Sequence, residues 1–229
     1  MTIARAHLVD AVNPGYYHLH SRCVRRAWLC GIDPETGGDF EHRREWIETR
    51  LLTLASLFCI ELYSYAVMSN HYHVVLRVDP KGPLTWSDQE VARRYLSLKY
   101  LFAVDTLPET FPDSFEFDVT QVLASKELLA MYRERLGSVS WFQRNMNQSI
   151  ARRVNREDGC TGHLWQARFG SNALLDDESV YTAMAYSDLN PVRAGVARTY
   201  EHTQHTSIAK RLRDLSEIER HVQLARMLV

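Results

Sequence analysis

The chain lacks the features that mark secreted, membrane-spanning or metal-ribbon proteins. Its four cysteines, Cys23, Cys30, Cys59 and Cys160, form no C-x-x-C pair and no closely spaced framework, which argues against a disulfide scaffold and a zinc ribbon. No apolar run reaches the roughly 20 residues of a membrane-spanning helix, and residues 1–14 have no apolar segment typical of a signal peptide. We therefore expect a cytoplasmic protein with no membrane partner.

The sequence also lacks a net charge of either sign. Lys+Arg 27 against Asp+Glu 28 give a formal charge of -1, so total charge does not favour nucleic acid or a membrane surface as partner. Evidence for DNA binding must therefore come from local groups of residues and not from the total charge. No internal repeat or low-complexity tract is present, and 45% hydrophobic residues are enough to bury a core. A folded globular chain is expected.

The spacing of apolar residues predicts the first elements. Apolar residues three and four positions apart predict a helix over 41–58. Aromatic and β-branched residues predict strands over 60–67 and 71–78, which read as an antiparallel pair. An aromatic run at 16–21 follows a turn signal and predicts an earlier strand.

The second half of the chain predicts further helices. Charged residues in a helical pattern fill residues of about 80–138, which we interpret as a helical insertion. Helices are also predicted over 139–158 and 177–189, the second ending before Pro191 because the residue preceding a proline leaves the helical region. A final, peripheral helix is predicted after Thr206.

His71 and His73 alternate with Tyr72 on a predicted strand. Since side chains alternate between the two faces of a strand, both imidazoles point the same way. Such a pair suits a divalent metal ion that polarises a phosphate oxygen. H-x-H alone is a weak motif, however, and the alternative is that the histidines pair with backbone or carboxylate groups in a half-buried strand.

Three longer segments carry a resemblance to a known family. They are YAVMSNHYHVVL at 65–76, GHLWQARF at 162–169 and YSDLNPVRAGV at 186–196. Each resembles a signature of the REP-associated tyrosine transposases, relatives of the single-tyrosine transposases of small bacterial insertion sequences, and the three occur in the family's order. Residues 17–22 also resemble the family's first strand.

The resemblance implies an α+β fold over residues 1–200, with a ferredoxin-like antiparallel sheet and packed helices of the HUH endonuclease type. The insertion at about 80–138 and a C-terminal helical tail at 201–229 would complete the chain. It implies transesterification on single-stranded or hairpin DNA by a tyrosine hydroxyl. His71 and His73 would bind Mg²⁺ or Mn²⁺, since no thiolate stands beside them. No nucleotide cofactor is needed, and a homodimer is compatible with the resemblance.

The chain departs from the family at the nucleophile. A tyrosine is expected on the helix before the GHLWQ signature, yet residues 149–155 contain none. Tyr186 is the best replacement, although its alternative role is to pack its helix on the sheet. The helix before the GHLWQ signature is also expected to supply a polar third metal ligand, for which Asn155 is the nearest match and Gln148 the next. Both could equally be solvated helix residues.

A group of arginines and one tryptophan forms the predicted DNA-binding set. Arginines could hold phosphates despite the neutral total charge, and an aromatic face could stack an unpaired base. The alternative places the arginines on solvated helix faces and the tryptophan in the core. The set consists of Arg22, Arg25, Arg26, Arg152, Arg153, Arg156, Trp165 and Arg168.

Three functions are compatible with these patterns. The first is a transposase-like DNA-binding enzyme that cuts single-stranded or hairpin DNA through a tyrosine. The second is a catalytically inactive descendant that binds hairpin DNA, which the missing tyrosine favours. The third is a metal-dependent hydrolase of a small phosphate ester that uses water as nucleophile.

Overall fold

The computed structural model describes residues 9–24, 28–104, 106–199 and 202–227. Within these ranges, four strands form one antiparallel sheet in the order β2-β3-β1-β4. The strands are β1 (Gly15–Arg22), β2 (Ile60–Val67), β3 (His71–Val78) and β4 (Gly170–Leu174). The predicted strands at 60–67 and 71–78 are confirmed, whereas β4 was not predicted.

Helices make up most of the remaining described chain. They are α1 (His42–Leu57), α2 (Asp88–Val104), α3 (Asp113–Leu123), α4 (Lys126–Leu136), α5 (Val139–Glu157), α6 (Asp177–Arg193) and α7 (Ser207–Met227), with a short 3-10 helix at Gly82–Thr85. The predictions for α1 and α5 agree within one residue at each end. No helix in the described ranges combines the length and apolar character needed to cross a bilayer.

α6 extends beyond its predicted end. The predicted helix ended at Leu189, but the observed helix continues through Pro191 to Arg193. Pro191 lies in the last turn, where its missing N–H removes only one intrahelical bond, and the Ala194 N–H still donates to the Asn190 carbonyl at 2.9 Å. Gly195 then adopts a φ of 70°, the left-handed conformation that commonly closes a helix.

One face of the sheet is buried, and we call it the core face. Leu19 of β1 lies opposite Val74 of β3, and both are completely buried in one cluster with side chains of α1 and α5. Tyr72 also points to this face, where its hydroxyl donates to Gln143 Oε1 of α5 at 2.9 Å. It donates to Asn147 Oδ1 of the same helix as well. α5 is thereby fixed against the core face.

The opposite face carries the histidines, and we call it the histidine face. It is defined by His18 and His20 of β1 and by His71 and His73 of β3, which alternate with the core-face residues of those strands. α6 packs across this face against β2, β3 and β4. The two faces are therefore covered by different helices, α1 and α5 on one side and α6 on the other.

α7 is anchored to α6 and β2 by a buried polar network. Asp188 of α6 accepts hydrogen bonds from the Ser207 hydroxyl and from the Ile208 N–H at 3.1 Å, and it pairs with Arg211. The Tyr65 N–H of β2 donates to Ser207 Oγ at 3.1 Å. The start of the tail helix is thus part of the folded domain, so its prediction as a peripheral helix is wrong at this end.

Candidate active site on the histidine face

Four imidazoles gather on the two central strands of the sheet. The antiparallel register places His20 opposite His73 and Arg22 opposite His71. Ring centroids lie 4.9 Å apart for His71 and His73, and 5.0 Å apart for His18 and His73. The His20 ring is 6.1 Å from that of His73. The predicted pair does share one face, and β1 brings two further histidines to it.

His73 is the most enclosed of the four histidines. His73 is 7% exposed, and its Nδ1 lies 3.0 Å from His18 Nε2. His73 Nε2 is buried and has no hydrogen-bond partner among the described groups. A buried polar atom left without a partner is destabilising, and most such atoms in folded proteins are engaged by some group. Gln143 Nε2, Ser171 Oγ and Ser187 Oγ are also buried without a partner among the described groups, but of these four residues only His73 lines the pockets of this face, where a ligand could reach it.

Burial keeps the four imidazoles neutral near pH 7. Desolvation, with help from the three neighbouring histidines, lowers the pKa of His73 to about 3. Desolvation, followed by the charge of Arg22, lowers the pKa of His71 to about 4. Desolvation also lowers the pKa of His18 and His20. Neutral imidazole is the form of histidine that binds a metal ion.

Asn70 fixes the hydrogen on His71. Its Oδ1 lies 2.6 Å from His71 Nδ1, and an amide oxygen can only accept. His71 Nδ1 therefore carries the ring hydrogen, and Nε2 keeps its lone pair. Histidines that bind metal ions commonly have this arrangement: one ring nitrogen donates to a polar neighbour, and the other nitrogen is available to the ligand.

Gly170 of β4 makes room for the His20 ring. The two residues are partners across the β1–β4 ladder. A Cβ at position 170 would lie 2.2 Å from His20 Cε1 and 2.3 Å from His20 Nε2. Any side chain here would displace the imidazole, so glycine is required by a close approach. The unpredicted strand therefore shapes the site directly.

α6 places Tyr186 over the histidines. Its ring lies edge-on to His73 with 5.4 Å between centroids, and to His18 with 6.0 Å. The Arg193 guanidinium lies 5.7 Å from the centroid of the same ring. Tyr186 is 41% exposed, so a substrate can reach it. An accessible phenol beside neutral imidazoles and a cation has surroundings suited to a nucleophile.

Two pockets meet at His20, His73 and Tyr186. The larger, of about 780 Å³, continues between β4 and α6 and is lined there by Asp176 and Glu178 among others. The smaller, of about 350 Å³, is lined further by Arg22, His71 and Arg168. The arginines of this region therefore lie on one side of Tyr186, beside the predicted histidine pair.

The chain is similar in fold to a REP-associated tyrosine transposase whose structure was solved bound to a REP hairpin. The similarity covers 92% of this chain and 84% of that chain, with a TM-score of 0.51 and 11% sequence identity. It is a likeness of fold. No family model matches the sequence, and no curated protein matches it.

The helix on which a tyrosine was expected lies on the other side of the sheet. α5 directly precedes the GHLWQ segment, but it packs on the core face, where Gln143 and Asn147 contact Tyr72. A tyrosine on the inner side of α5 would meet the core and not the histidines. The helix expected to carry the nucleophile therefore does not face the histidines, and the tyrosine that lies beside them is Tyr186 of α6.

Asn155 does not join the histidines, so its prediction as third metal ligand is wrong. Its amide nitrogen donates to the Gly162 carbonyl at 3.0 Å, and its Oδ1 accepts from the Cys160 thiol at 3.5 Å. These bonds brace the loop that follows α5. Gln148 is exposed on the same helix. Because α5 covers the core face, neither side chain is placed to reach His71 and His73.

Two of the predicted DNA-binding arginines lie at the site. Arg22, at the end of β1, and Arg168, just before β4, both line the smaller pocket with His71. Both side chains are exposed. Arg25 and Arg26 fall outside the described residues. Two cations of the site therefore come from the ends of two neighbouring strands, β1 and β4.

The predicted arginines of α5 lie elsewhere. The Arg152 guanidinium lies 4.2 Å from the centroid of Phe102, and that of Arg153 lies 3.8 Å from the centroid of Trp46. Both contacts are with helices on the core-face side. Arg156 belongs to the last turn of the same helix. The sequence-based set thus joins residues from opposite sides of the sheet, and its α5 members are not part of this site.

Trp165 has mainly a structural role. Its indole N–H donates to the Asn147 carbonyl at 2.8 Å, and its ring packs edge-on to Tyr72 with 5.6 Å between centroids. The residue is half-buried. Of the two interpretations of this tryptophan, the core interpretation accounts for its contacts.

His18 and His20 are site residues that the sequence analysis did not identify. Their H-x-H pattern on the first predicted strand repeats that of His71 and His73. Had the two strands been paired in antiparallel register, both pairs would have fallen on one face. The repeated pattern was the available signal, but only the register makes it informative.

Proposed function

We propose that the protein is a transposase-like DNA-binding enzyme that cuts and rejoins single-stranded or hairpin DNA through Tyr186. The observation that carries the proposal is the position of the exposed Tyr186 ring, 5.4 Å from that of His73 on the histidine face. The similarity in fold to a transposase solved with a hairpin supports DNA as the substrate. The cations Arg22 and Arg168 in the adjoining pocket support a phosphate ligand.

We also propose that the domain is ferredoxin-like. The support is the order β1-α1-β2-β3-α5-β4 along the chain, with α2, α3 and α4 inserted after β3, and the strand order β2-β3-β1-β4 in the sheet. A β-α-β-β-α-β succession is the defining pattern of that architecture. In this proposal α6 and α7 are additions that cover the histidine face.

In the proposed reaction Tyr186 is the nucleophile. Its hydroxyl oxygen forms a bond to phosphorus while one P–O bond of the DNA breaks, and the departing strand takes up a proton at its new hydroxyl. Because Tyr186 is 41% exposed, its own proton can pass to water in the cleft. The covalent phosphotyrosine retains the ester bond, so attack by a strand hydroxyl reseals the DNA without a nucleotide cofactor.

His71 and His73 fit two ligands of a divalent ion. His73 Nε2 is buried without a partner, and Asn70 leaves His71 Nε2 with its lone pair. Among the described residues no group of three or more His, Cys, Asp or Glu is placed to hold an ion by itself, so water or phosphate oxygens would complete the shell. Two imidazoles beside oxygen ligands suit Mn²⁺ better than Mg²⁺. A bound ion would offset the charge that develops at phosphorus.

The test is a covalent-adduct assay with labelled hairpin DNA that carries a single-stranded flank. With Mn²⁺, the wild-type protein is expected to give a protein–DNA band that survives denaturing electrophoresis. Tyr186→Phe should abolish this band while retaining hairpin binding. Tyr181→Phe on the same helix, 70% exposed, is the matched control and should keep the band.

Each alternative function has its own outcome in this assay. Hairpin binding with no adduct under any condition would support the catalytically inactive DNA-binding protein. Failure to bind DNA, together with turnover of a small phosphate ester, would support the hydrolase. An adduct that persists in Tyr186→Phe would assign the nucleophile to another residue.

A further inference from the structure

His18 is hydrogen-bonded to His73 through Nδ1 of His73. The proposed ligand position is at the other ring nitrogen of His73, Nε2. His18 Nε2 lies 3.0 Å from His73 Nδ1, whereas the buried, unpartnered nitrogen of His73 is Nε2. His18 is not one of the residues proposed above to hold a metal ion. Its place beside His73 follows from β1, where it alternates with the core-face residues Tyr17 and Leu19.

Two neutral imidazoles can share this hydrogen bond in only two ways. If His18 Nε2 donates, His73 carries its hydrogen on Nε2, which is a buried N–H with no acceptor among the described groups. If His73 Nδ1 donates, His73 Nε2 has a lone pair, and the hydrogen of His18 moves to its own Nδ1. In the backbone of folded proteins a buried N–H without a partner is rarer than an under-used acceptor, and we infer the same preference for the imidazole nitrogens. The second arrangement is therefore favoured.

His18 can adopt the tautomer that this arrangement requires, with its hydrogen on Nδ1. His18 lines the larger, open pocket, and none of its nitrogens is among the buried atoms without a partner. Water in the pocket can thus accept a hydrogen bond from His18 Nδ1. The Tyr186 ring packs edge-on against both rings, 6.0 Å from His18 and 5.4 Å from His73 between centroids.

We propose that His18 is a positioning residue that accepts a hydrogen bond from His73 Nδ1, holds His73 in the Nδ1–H tautomer and leaves His73 Nε2 free to bind a ligand. It does for His73 what Asn70 does for His71. Polar partners of this kind fix ring orientation and tautomer at metal sites. The consequence for metal binding rests on the proposed function, whereas the tautomer itself does not.

The decisive experiment is a long-range ¹H–¹⁵N correlation spectrum of the full-length protein, with ¹⁵N-labelled histidine and no added metal, at pH 7. The expected result is a His73 signal pattern in which Nδ1 is protonated and Nε2 is not. His73→Gln identifies the signals. A His73 ring protonated at Nε2 would overturn the proposal, and this measurement needs neither a variant of His18 nor any activity.

Two substitutions at His18 separate positioning from simple packing. The side-chain carbonyl of His18→Gln can still accept from His73 Nδ1, whereas His18→Leu fills similar space and cannot. Mn²⁺ affinity, measured by electron paramagnetic resonance, is expected to fall about 10- to 100-fold in His18→Leu and to be largely restored in His18→Gln. Equal losses in both variants, or no loss in His18→Leu, would overturn the role.

The outcomes distinguish this proposal from the proposed function. If His73 is protonated at Nδ1 but no covalent DNA adduct forms, the function fails and the positioning role of His18 stands. If the adduct forms but His73 is protonated at Nε2, the positioning role fails and the function stands. His42→Gln, at an exposed histidine that pairs with Glu157 away from the site, is the control variant and should change neither readout.

Discussion

The two faces of the sheet are made from alternate residues of the same strands, yet they differ in how accessible their polar groups are to a ligand. On the core face the Tyr72 hydroxyl is buried and donates to two side chains of α5. On the histidine face His73 is almost as buried, but its Nε2 has no partner among the described groups. Two open pockets adjoin this second face.

The difference indicates what each face is for. The core face also holds buried atoms without a partner among the described groups, Gln143 Nε2 and Ser171 Oγ, but it is packed against α1 and α5, and neither residue lines one of the two pockets. A face that keeps neutral imidazoles, an accessible tyrosine and nearby arginines together beside open pockets retains groups that a bound ligand could engage. A concave surface that gathers polar groups in this way is expected at a functional site, whereas a buried atom without a partner occurs on both faces and does not by itself mark one.

The largest effect is expected from removing the predicted histidine pair. His71→Ala with His73→Ala should reduce Mn²⁺-dependent cleavage of hairpin DNA about a thousandfold, because a bound ion contributes several kcal/mol to the transition state. Hairpin affinity should fall far less, since phosphate contacts from arginines persist. Cleavage and binding are measured on the same labelled hairpin, and equal losses of both would argue against the metal role.

The substitution Tyr72→Phe is the control for the histidine pair. It lies between the two histidines in sequence but acts on the core face. It should cost about 1–3 kcal/mol of unfolding free energy, because Gln143 and Asn147 lose their buried donor. Cleavage by the folded protein should be unaffected. A loss of cleavage similar to that of the double variant would remove the distinction between the faces.

Adjacent residues of β1 offer a second way to compare the faces. Leu19 is completely buried in the core, so Leu19→Ala should cost about 2–5 kcal/mol of unfolding free energy in urea denaturation. His20, the next residue, borders both pockets. His20→Ala should cost less than about 1 kcal/mol. Similar losses of unfolding free energy at Leu19 and His20 would contradict the distinction between the two faces.

Arginines from the two sides should differ in DNA binding. Arg168 lines the smaller pocket, so Arg168→Gln should weaken hairpin binding and lower the slope of log affinity against log salt by about 1. Arg153 lies over Trp46 on the core-face side, so Arg153→Gln should leave the slope unchanged. The slopes follow from fluorescence anisotropy at several salt concentrations. A change in the Arg153 variant alone would place the DNA on the other side of the sheet.

The smallest effect is expected from a carboxylate on the core-face side. Glu48 accepts from the Tyr65 hydroxyl and pairs with His205, each at 2.6 Å. Burial raises the pKa of Glu48, but the bonds from His205 and Tyr65 outweigh it and hold the pKa below its usual value of 4.5. Its contribution to stability is present above that value and is lost as the pH falls through the folded pKa. Glu48→Gln should flatten the decline in urea midpoint below about pH 4.5, and an unchanged decline would contradict the assignment.

The sequence was sufficient for elements whose own pattern determines them. The helix α1 has regular apolar spacing and the strands β2 and β3 are rich in aromatic and β-branched residues, and the predicted bounds agree with the structure within one residue. β4 contains Gly170 and Asn172 among its first three residues, two types that are depleted in strands, and it forms because it pairs with β1. Local propensity could not reveal it.

The candidate site was only partly predictable for a similar reason. His71 and His73 lie together because residues two positions apart on a strand point to the same face. His18, His20 and Tyr186 join them through strand register and through the packing of α6, which no local pattern specifies. The same cause explains the errors at Asn155 and the α5 arginines, since the sequence gives no sign of which face a helix covers.

The central claim, that the histidine face is the DNA-processing site, is tested most directly by mapping the covalent adduct. Wild-type protein is reacted with hairpin DNA and Mn²⁺, digested with nuclease and trypsin, and analysed by mass spectrometry. The account predicts a nucleotide attached to Tyr186. Attachment to Tyr181, to Tyr132 of α4 or to any residue on the core-face side would contradict it.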